Sequence, residues 1–595
     1  MSGDADHFLG IAQSLTGKRW RQRRGDDRIA LALAQRLGVP EIIGRIMAAR
    51  GIELDAAQRF LAPTLREMLP DPSLFKDMHH AVERLATAIG RSEIIAIFGD
   101  YDVDGATSAA LLHRFIAAVG GRSIVYIPDR HREGYGPNLA ALLKLKERGA
   151  SVVVTVDCGI TGHAPLAAAA NAGVDVIVVD HHVGEPSLPV AIAVVNPNRL
   201  DEIGAHTELA AVGVTFLIVV GVNRELRKRS WYSARPEPRL VDWLDLVALG
   251  TICDVVPLTG VNRALVAQGL KVMRGRRNIG LAALADVAGV EEPLGAYHAG
   301  FVLGPRVNAG GRVGESELGS RLLSCEDPVE AQALARRLDD FNRQRRDIEA
   351  MVCAEAISII DRGPEQHHSL VIAAKSGWHA GVIGIVAGRL RERYNRPACV
   401  VAFEGDIGKG SGRSVPGVAL GPAIIAARQA GLLINGGGHA MAAGFTVKRD
   451  CLDALRHFLE TRLPLAFEGA HLQPELGIDG MVTPAAASFE LAEAIERLGP
   501  FGTGNAEPRF ALGHARLVHA EPFSGQHLRL VLGDATGAAR IKATLLRAGD
   551  NGLGSALMSL RGATIHIAGK LRVNRWQGRE ETRLLVDDAA MVQRQ

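Results

Sequence analysis

Three short, almost wholly apolar runs, Ile94–Phe98, Val152–Val156 (broken only by Thr155) and Val174–Val179 (broken only by Asp175 near its start), each stop at or within two residues of an aspartate: Asp100, Asp157 and Asp180. An apolar run of this length without polar alternation is the pattern of a strand buried on both faces. A further strand is expected at Ile124–Ile127. Segments with helical spacing lie between them: Thr107–Val119, closed by Gly120-Gly121, then Asn138–Glu147 and Leu166–Ala172. Strand and helix alternate with short connections, which predicts an α/β domain with a parallel sheet and helices on both faces. In such sheets ligands bind outside the carboxyl ends of the strands, so the aspartates are expected to converge on one crevice.

At 595 residues the chain exceeds a single core, which stops growing at about 250–300 residues. We expect a helical, basic N-terminal arm over 1–75 and the α/β domain over 76–326. A connector helix follows over 327–363, then a second, smaller α/β domain over 364–464 and a β-barrel over 465–595. The connector, DPVEAQALARRLDDFNRQRRDIEAMVCAEAISIIDR, has proline at its start, Gly363-Pro364 after its end and neither residue between. In the second α/β domain Ser369–Ala374 and Ala398–Phe403 read as strands flanking a helix, Val382–Tyr394. The barrel rests on five alternating segments: Ala515–Ala520, His527–Leu532, Ala539–Leu545, Ala563–Leu571 and Thr582–Asp588. Five strands in so short a stretch suit an OB-fold.

No segment reaches the roughly 18 uncharged apolar residues of a membrane span. The opening MSGDADHFLG lacks the layout of a signal peptide, so a cytoplasmic protein is expected. The six cysteines form no CxxC pair, which argues against a zinc knuckle or a disulfide framework. Net charge is +3, a mild pointer to a polyanionic partner. The run Lys18, Arg19, Trp20, Arg21, Arg23 and Arg24 suits phosphate contact with base stacking, or equally a solvated arm.

The acids carry the chemistry. Asp100, Asp102 and Asp104 alternate in FGDYDVDG, between a buried strand and a helix. Uncompensated buried carboxylates cost several kcal/mol each unless cations neutralise them. An EF-hand would need a downstream glutamate, and LLHRF supplies none. Asp157 follows the second run, and Asp180-His181-His182, taken as the centre of the site, follows the third. Any one aspartate could cap a helix; the set with paired histidines points to a metal crevice. Asp254 ends the apolar stretch Trp243–Cys253 and is either a cap or a ligand reaching back. Carboxylate with imidazole suits Mn²⁺ or Mg²⁺, and the number of candidates suits two ions and phosphoester hydrolysis.

At GDYDVDG (99–105), VDCGI (156–160), VDHH (179–182) and LGTICDVVPL (249–258) the sequence resembles the DHH phosphoesterase superfamily. GPRVNAGGR (304–312), GSGRS (410–414) and GGGHAMAAG (436–444) extend the resemblance from about residue 60 to the C-terminus. It implies a DHH domain, a DHH-associated domain and an OB-fold. It implies Asp102, Asp104, Asp157, His181 and Asp254 as metal ligands, with Asp157 bridging, and Asp100 and His182 as further catalytic residues. Phe98 departs from the superfamily pattern, in which many members carry a histidine ligand there. For a terminal 5′-phosphate and the nucleic-acid strand, the resemblance implies Arg130, Arg312, Ser411, Gly412 and Arg413, with Asn308 and His439 as secondary contacts. Arg130 or Arg312 taken alone could instead be a salt-bridge residue. Tyr135 could stack a base or be an ordinary half-buried aromatic. The Arg497–Asn505 stretch reads as a structured linker. The implied activity is 5′→3′ exonucleolytic hydrolysis of single-stranded DNA to mononucleotides in repair and recombination. The implied partners are a single-strand-binding protein and a RecQ-type helicase. The alternative is a phosphodiesterase for cyclic dinucleotides or short oligonucleotides.

Overall fold

A computed structural model describes residues 7–592, apart from 131, 205, 364–368, 464–472, 535, 550–551 and 577–578. The chain forms two units. One comprises residues 62–345 with 499–506; the other comprises 1–61, 346–498 and 507–595.

In the first unit five strands form an all-parallel sheet in the spatial order Arg122–Tyr126, Ile94–Gly99, Ala150–Val156, Asp175–Val179, Ala193–Val195. Side chains alternate across a strand, so each apolar run feeds two cores. Ile95, Ile97, Val152, Val154 and Val179 enter one core; Ala96, Phe98, Val153, Val176 and Val178 enter the other. This double burial is why the runs carry no polar alternation. The helix Val103–Ala118 follows the first of these strands in sequence, and Ala211–Lys228 packs in the same core. The helix Leu244–Cys253 is buried from Leu244 to Thr251, in keeping with its apolar residues on every face.

The connector is a 35-residue helix, Pro328–Arg362. Its first turn is capped by Asp327, whose carboxylate accepts from the amides of Val329 and Glu330 at 2.7 and 2.9 Å.

The second unit holds a mixed sheet ordered Asn435–Gly438, Ala442–Lys448, Ile407–Arg413, Ala398–Glu404, Val371–Ser376, in which only the last pair is parallel. It also holds the barrel. Phe510–Phe523, His527–Gly533, Arg540–Leu545, Arg579–Met591 and Thr564–Trp576 pair in turn, and the last closes on the first. All five expected strands are present. The expected boundary at 464/465 lies outside the described residues.

The basic run near the N-terminus differs from both readings of it. Arg19–Gln22 is a strand paired in parallel with Glu475–Ile478. Trp20 is fully buried, and its indole N–H donates to Asp588 at 2.9 Å. The period of two explains the pattern. Arg19 and Arg21 both reach Glu475, Arg23 reaches Asp479 at 2.9 Å, and Trp20 faces the core between them. Neither a solvated arm nor a base-stacking tryptophan remains.

Candidate metal centre

In sequence order the five parallel strands lie 2-1-3-4-5, so the winding direction reverses between Ile94–Gly99 and Ala150–Val156. That reversal opens a crevice at the carboxyl ends of these two strands. Asp100 and Asp102 follow the first, Asp157 follows the second, and His181 and His182 follow the neighbouring strand.

Local sequence explains why they converge. Asp102 caps the helix Val103–Ala118, one carboxylate oxygen accepting from the amides of Asp104 and Gly105 at 2.9 and 3.1 Å. Capping and site membership coexist, since the second oxygen is left for other use. Gly105 lets that helix start against the loop: a Cβ there would sit 2.4 Å from the Asp100 carbonyl oxygen. Asp104 accepts from the amides of Ala211 and Val212, at 2.7 and 2.9 Å, at the start of another helix. Gly250 allows the helix ending at Asp254 to approach, as a Cβ there would lie 3.0 Å from Asp104 Oδ1. Two backbone positions at the site lie in the left-handed region, Asp157 at φ 62° and Val255 at φ 64°. For β-branched Val255 this is a strained conformation, of a kind that clusters at functional sites.

His181 is the hub. Its Nε2 lies 3.3 Å from Asp157 Oδ1, 3.6 Å from Asp254 Oδ2 and 4.0 Å from Asp104 Oδ2. Three sets bring ligand atoms within 4.8 Å of one another: Asp100, Asp102 and Asp157; Asp104, His181 and Asp254; and Asp157, His181 and His182. Asp157 thus adjoins both ends of the cluster. Burial, then the charges of Asp104 and Asp102, push the Asp254 carboxyl up to about 9. Burial and Asp102 push Asp104 up to about 7, and Asp100 and Asp157 are also raised, by burial first. His181 goes down to about 4, by burial and then the charge of His182, which leaves the neutral imidazole that ligates metals.

Divalent cations fit this cluster. Asp100 Oδ1, Asp157 Oδ1, His181 Nε2 and Asp254 Oδ2 are buried and make no hydrogen bond among the described residues. Each such atom costs on the order of 1–3 kcal/mol unless something else compensates it. Four of them in one crevice, from carboxylates and an imidazole, are the donor set of Mn²⁺ or Mg²⁺.

Asp180 turns out to hold this centre rather than to line it. Its fully buried carboxylate accepts from the amides of Ile160, His181 and His182, at 3.0, 2.7 and 3.1 Å, and pairs with His182 Nδ1 at 2.7 Å. Burial alone would raise it, but these contacts, His182 foremost, hold it below the usual carboxylate range. Burial opposes the protonated form of His182, yet the bond to Asp180 prevails and pushes it up to about 9. Replacing Asp180 by asparagine is therefore expected to lower kcat by about 10–100-fold, as for other residues that orient a metal site's neighbours. Steady-state kinetics at saturating metal would check this.

The Tyr135 hydroxyl lies 3.3 Å from the Asp157 carbonyl oxygen and 3.4 Å from His182 Nδ1. The residue is half exposed, so it belongs to the crevice and not to a core. The Arg130 guanidinium covers the Tyr101 ring at 4.9 Å, and Arg312 also acts electrostatically on Tyr101. Asn308 and Arg312 share the helix Gly304–Val313. Phe98 is fully buried and stacks on Tyr126 with ring centroids 5.5 Å apart, so apolar packing occupies that position.

In the other unit Ser411, Gly412 and Arg413 end the strand Ile407–Arg413 and pair with Gly444, Ala443 and Ala442. His439 lies in the turn preceding that partner strand and is exposed. Arg413 donates to Ser411 Oγ at 3.3 Å and to the Gly412 carbonyl oxygen at 2.9 Å. Both side chains adjoin Gly384 in the first turn of the helix Ile383–Tyr394. A helix N-terminus beside a guanidinium is suited to anions.

One contribution escapes a linear reading. Residues 499–506, which overlap the expected structured linker Arg497–Asn505, pack within the first unit: the Thr503 carbonyl oxygen accepts from Leu258 N–H at 2.8 Å, and that of Gly499 accepts from buried Arg263 at 2.6 Å. They brace the segment that follows Asp254. Only the density of glycine and proline in GPFGTGN could have signalled a built loop.

Residues 94–251 match the DHH family, N-terminal domain, residues 367–463 the DHHA1 domain, and residues 478–588 the RecJ OB domain. The single-stranded-DNA-specific exonuclease RecJ of Dickeya dadantii is 35% identical over 560 residues, 92% of this chain and 96% of the relative. The crystal structure of RecJ from Thermus thermophilus in complex with Mn²⁺ aligns with a TM-score of 0.79 at 29% identity, covering 96% of this chain and 79% of that one. Its Mg²⁺ complex gives 0.74 at 28%, covering 96% and 78%. With three domains matched in order and identity sustained along nearly the whole relative, the chain belongs to the RecJ family of single-stranded-DNA-specific exonucleases.

Proposed function

We propose that this protein degrades single-stranded DNA from its 5′ end to mononucleotides, as a phosphodiesterase that uses two Mn²⁺ or Mg²⁺ ions. The observation that carries this is the set of four buried, unbonded ligand atoms at the sheet's reversal point, in a chain of the RecJ family. Asp102, Asp104, Asp157, His181 and Asp254 hold the ions, with Asp157 shared and Asp100 beside it. Bound ions supply activation of water and charge neutralisation at the phosphate. His182, aimed by Asp180, donates a hydrogen bond to an oxygen of the scissile phosphate, and the Tyr135 hydroxyl steadies the same imidazole. Arg130, Asn308, Arg312, Ser411, Gly412, Arg413 and His439 contact the phosphates of the strand. The barrel that matches the RecJ OB domain favours a long strand over a cyclic dinucleotide. We place the protein in the cytoplasm, in repair and recombination, alongside a single-strand-binding protein and a RecQ-type helicase. No helix among the described residues is long and apolar enough to cross a membrane.

Digestion of one single strand labelled at either the 5′ or the 3′ end, with Mn²⁺ or with chelator, tests this reading. Immediate release of 5′ label as mononucleotide, only with metal, is expected; equal attack on both ends would overturn the polarity. Arg413→Ala is expected to erase the preference for 5′-phosphorylated over 5′-hydroxyl ends, measured by competition between the two substrates.

A further inference from the structure

Tyr297 and Phe301 are 55% and 73% exposed, and their rings lie against one another, centroids 5.5 Å apart and planes 23° apart. Phe301 sits on a π-helical turn, His298–Leu303, with Tyr297 directly before it. Such turns are rare and recur at functional sites. This one runs into the helix that carries Asn308 and Arg312.

The underside of the turn is tied down at several points. Arg306 donates to the Val302 carbonyl oxygen at 2.7 Å and pairs with Asp339 at 2.9 Å. The Gly295 amide donates to His298 Nδ1 at 3.1 Å. Cys253 Sγ lies 3.5 Å from the Ala299 carbonyl oxygen, and a Cβ on Gly300 would lie 3.2 Å from Ile252. Ile252 and Cys253 are the two residues before Asp254. The turn is therefore seated on the metal-bearing segment, while its aromatic side faces away from the core. Val255, 65% exposed, extends the apolar surface beyond Asp254.

We propose that Tyr297 and Phe301 form a platform on which nucleobases of the single strand stack as it reaches the metal crevice. This rests on the nuclease reading and adds a contact on the base, where the arginines contact phosphate. A rigidly held, outward aromatic pair continuous with the centre that cuts the strand suits π-faces, which all four bases present, so the contact is indifferent to sequence. Neither ring belongs to the core of the first unit, so their removal leaves the fold standing.

The test is equilibrium binding of the metal-free protein to a fluorescent single strand and to a matched strand of abasic sites. Phe301→Ala is expected to weaken binding of the base-bearing strand about tenfold, the scale of one lost stacking contact, and to leave the abasic strand unchanged. Phe301→Trp should restore affinity and show indole fluorescence quenched by the base-bearing strand; Phe301→Leu should restore neither. Equal losses on both strands, no loss at all, or full rescue by leucine would overturn the platform, and no loss at all is what a protein-docking surface would give. Failure of the wild-type protein to cleave single strands with Mn²⁺ would instead defeat the nuclease reading, which this metal-free measurement does not use.

Discussion

Asp157→Asn is expected to lower kcat by about 100–1,000-fold, the scale of losing one preorganised electrostatic group, and to raise the thermal midpoint of the metal-free protein. Both effects have one cause. Asp157 is buried at the end of its strand, with burial first and then Asp102, Asp104, Asp100 and Asp254 disfavouring its charge. Without cations, burial and then the neighbouring carboxylates disfavour its charge, and the neutral isostere removes that cost while keeping the shape. With cations the same charge is what the site requires, so Mn²⁺ should stabilise the wild type far more than the variant. Single-strand binding should change little, because the phosphate contacts we propose lie on other residues. Calorimetry in chelator and in Mn²⁺, beside single-turnover hydrolysis, checks all three; a variant within tenfold of wild-type activity, or one less stable without metal, would sink the account of Asp157. Opposite signs for stability and activity are the usual mark of a site that holds like charges together.

Trp20→Ala is expected to cost about 3–5 kcal/mol of stability, as for other fully buried tryptophans cut to alanine. The indole fills the core where Arg19–Gln22 pairs with Glu475–Ile478, beside Leu476, Ile478, Ala511 and Ala590. Its N–H serves Asp588, which is fully buried and also accepts from Thr16 Oγ1 at 2.9 Å and from its neighbour's amide. Trp20→Phe should keep most of the packing, lose the donor and fall between. Urea unfolding with and without a DNA strand separates this from the stacking role that the basic run suggests. A tryptophan that stacked on bases would lose DNA affinity at unchanged stability.

The parallel sheet and its acids are legible in the sequence because double burial removes polar alternation, so a strand end announces itself where an aspartate closes the apolar run. The barrel is legible for the complementary reason: its strands alternate and are punctuated by turns. Trp20 misleads because a strand that puts arginines on one side and an aromatic on the other looks, in one dimension, like a nucleic-acid contact. Its neighbours' carboxylate partners, Glu475 and Asp479, lie 456 positions from Arg19 and Arg23, too far for any local pattern to reveal them. Asp180 reads as the centre since its type and place match its neighbours. Only the direction of its carboxylate, toward three amides and an imidazole, distinguishes a residue that positions others. The brace at 499–506 depends on distant contacts, and the ring pair of Tyr297 and Phe301, though four residues apart, on exposure, neither of which spacing encodes.

The measurement closest to the central claim is Mn²⁺ binding by the metal-free protein, followed by calorimetric titration and by electron paramagnetic resonance. Two ions per chain are expected, with a spin-coupled spectrum from ions about 3.5–4 Å apart. In Asp157→Asn the coupling should vanish and at least one ion should be lost. A single uncoupled ion in the wild type, or coupling that survives in Asp157→Asn, would contradict a two-ion centre built around Asp157.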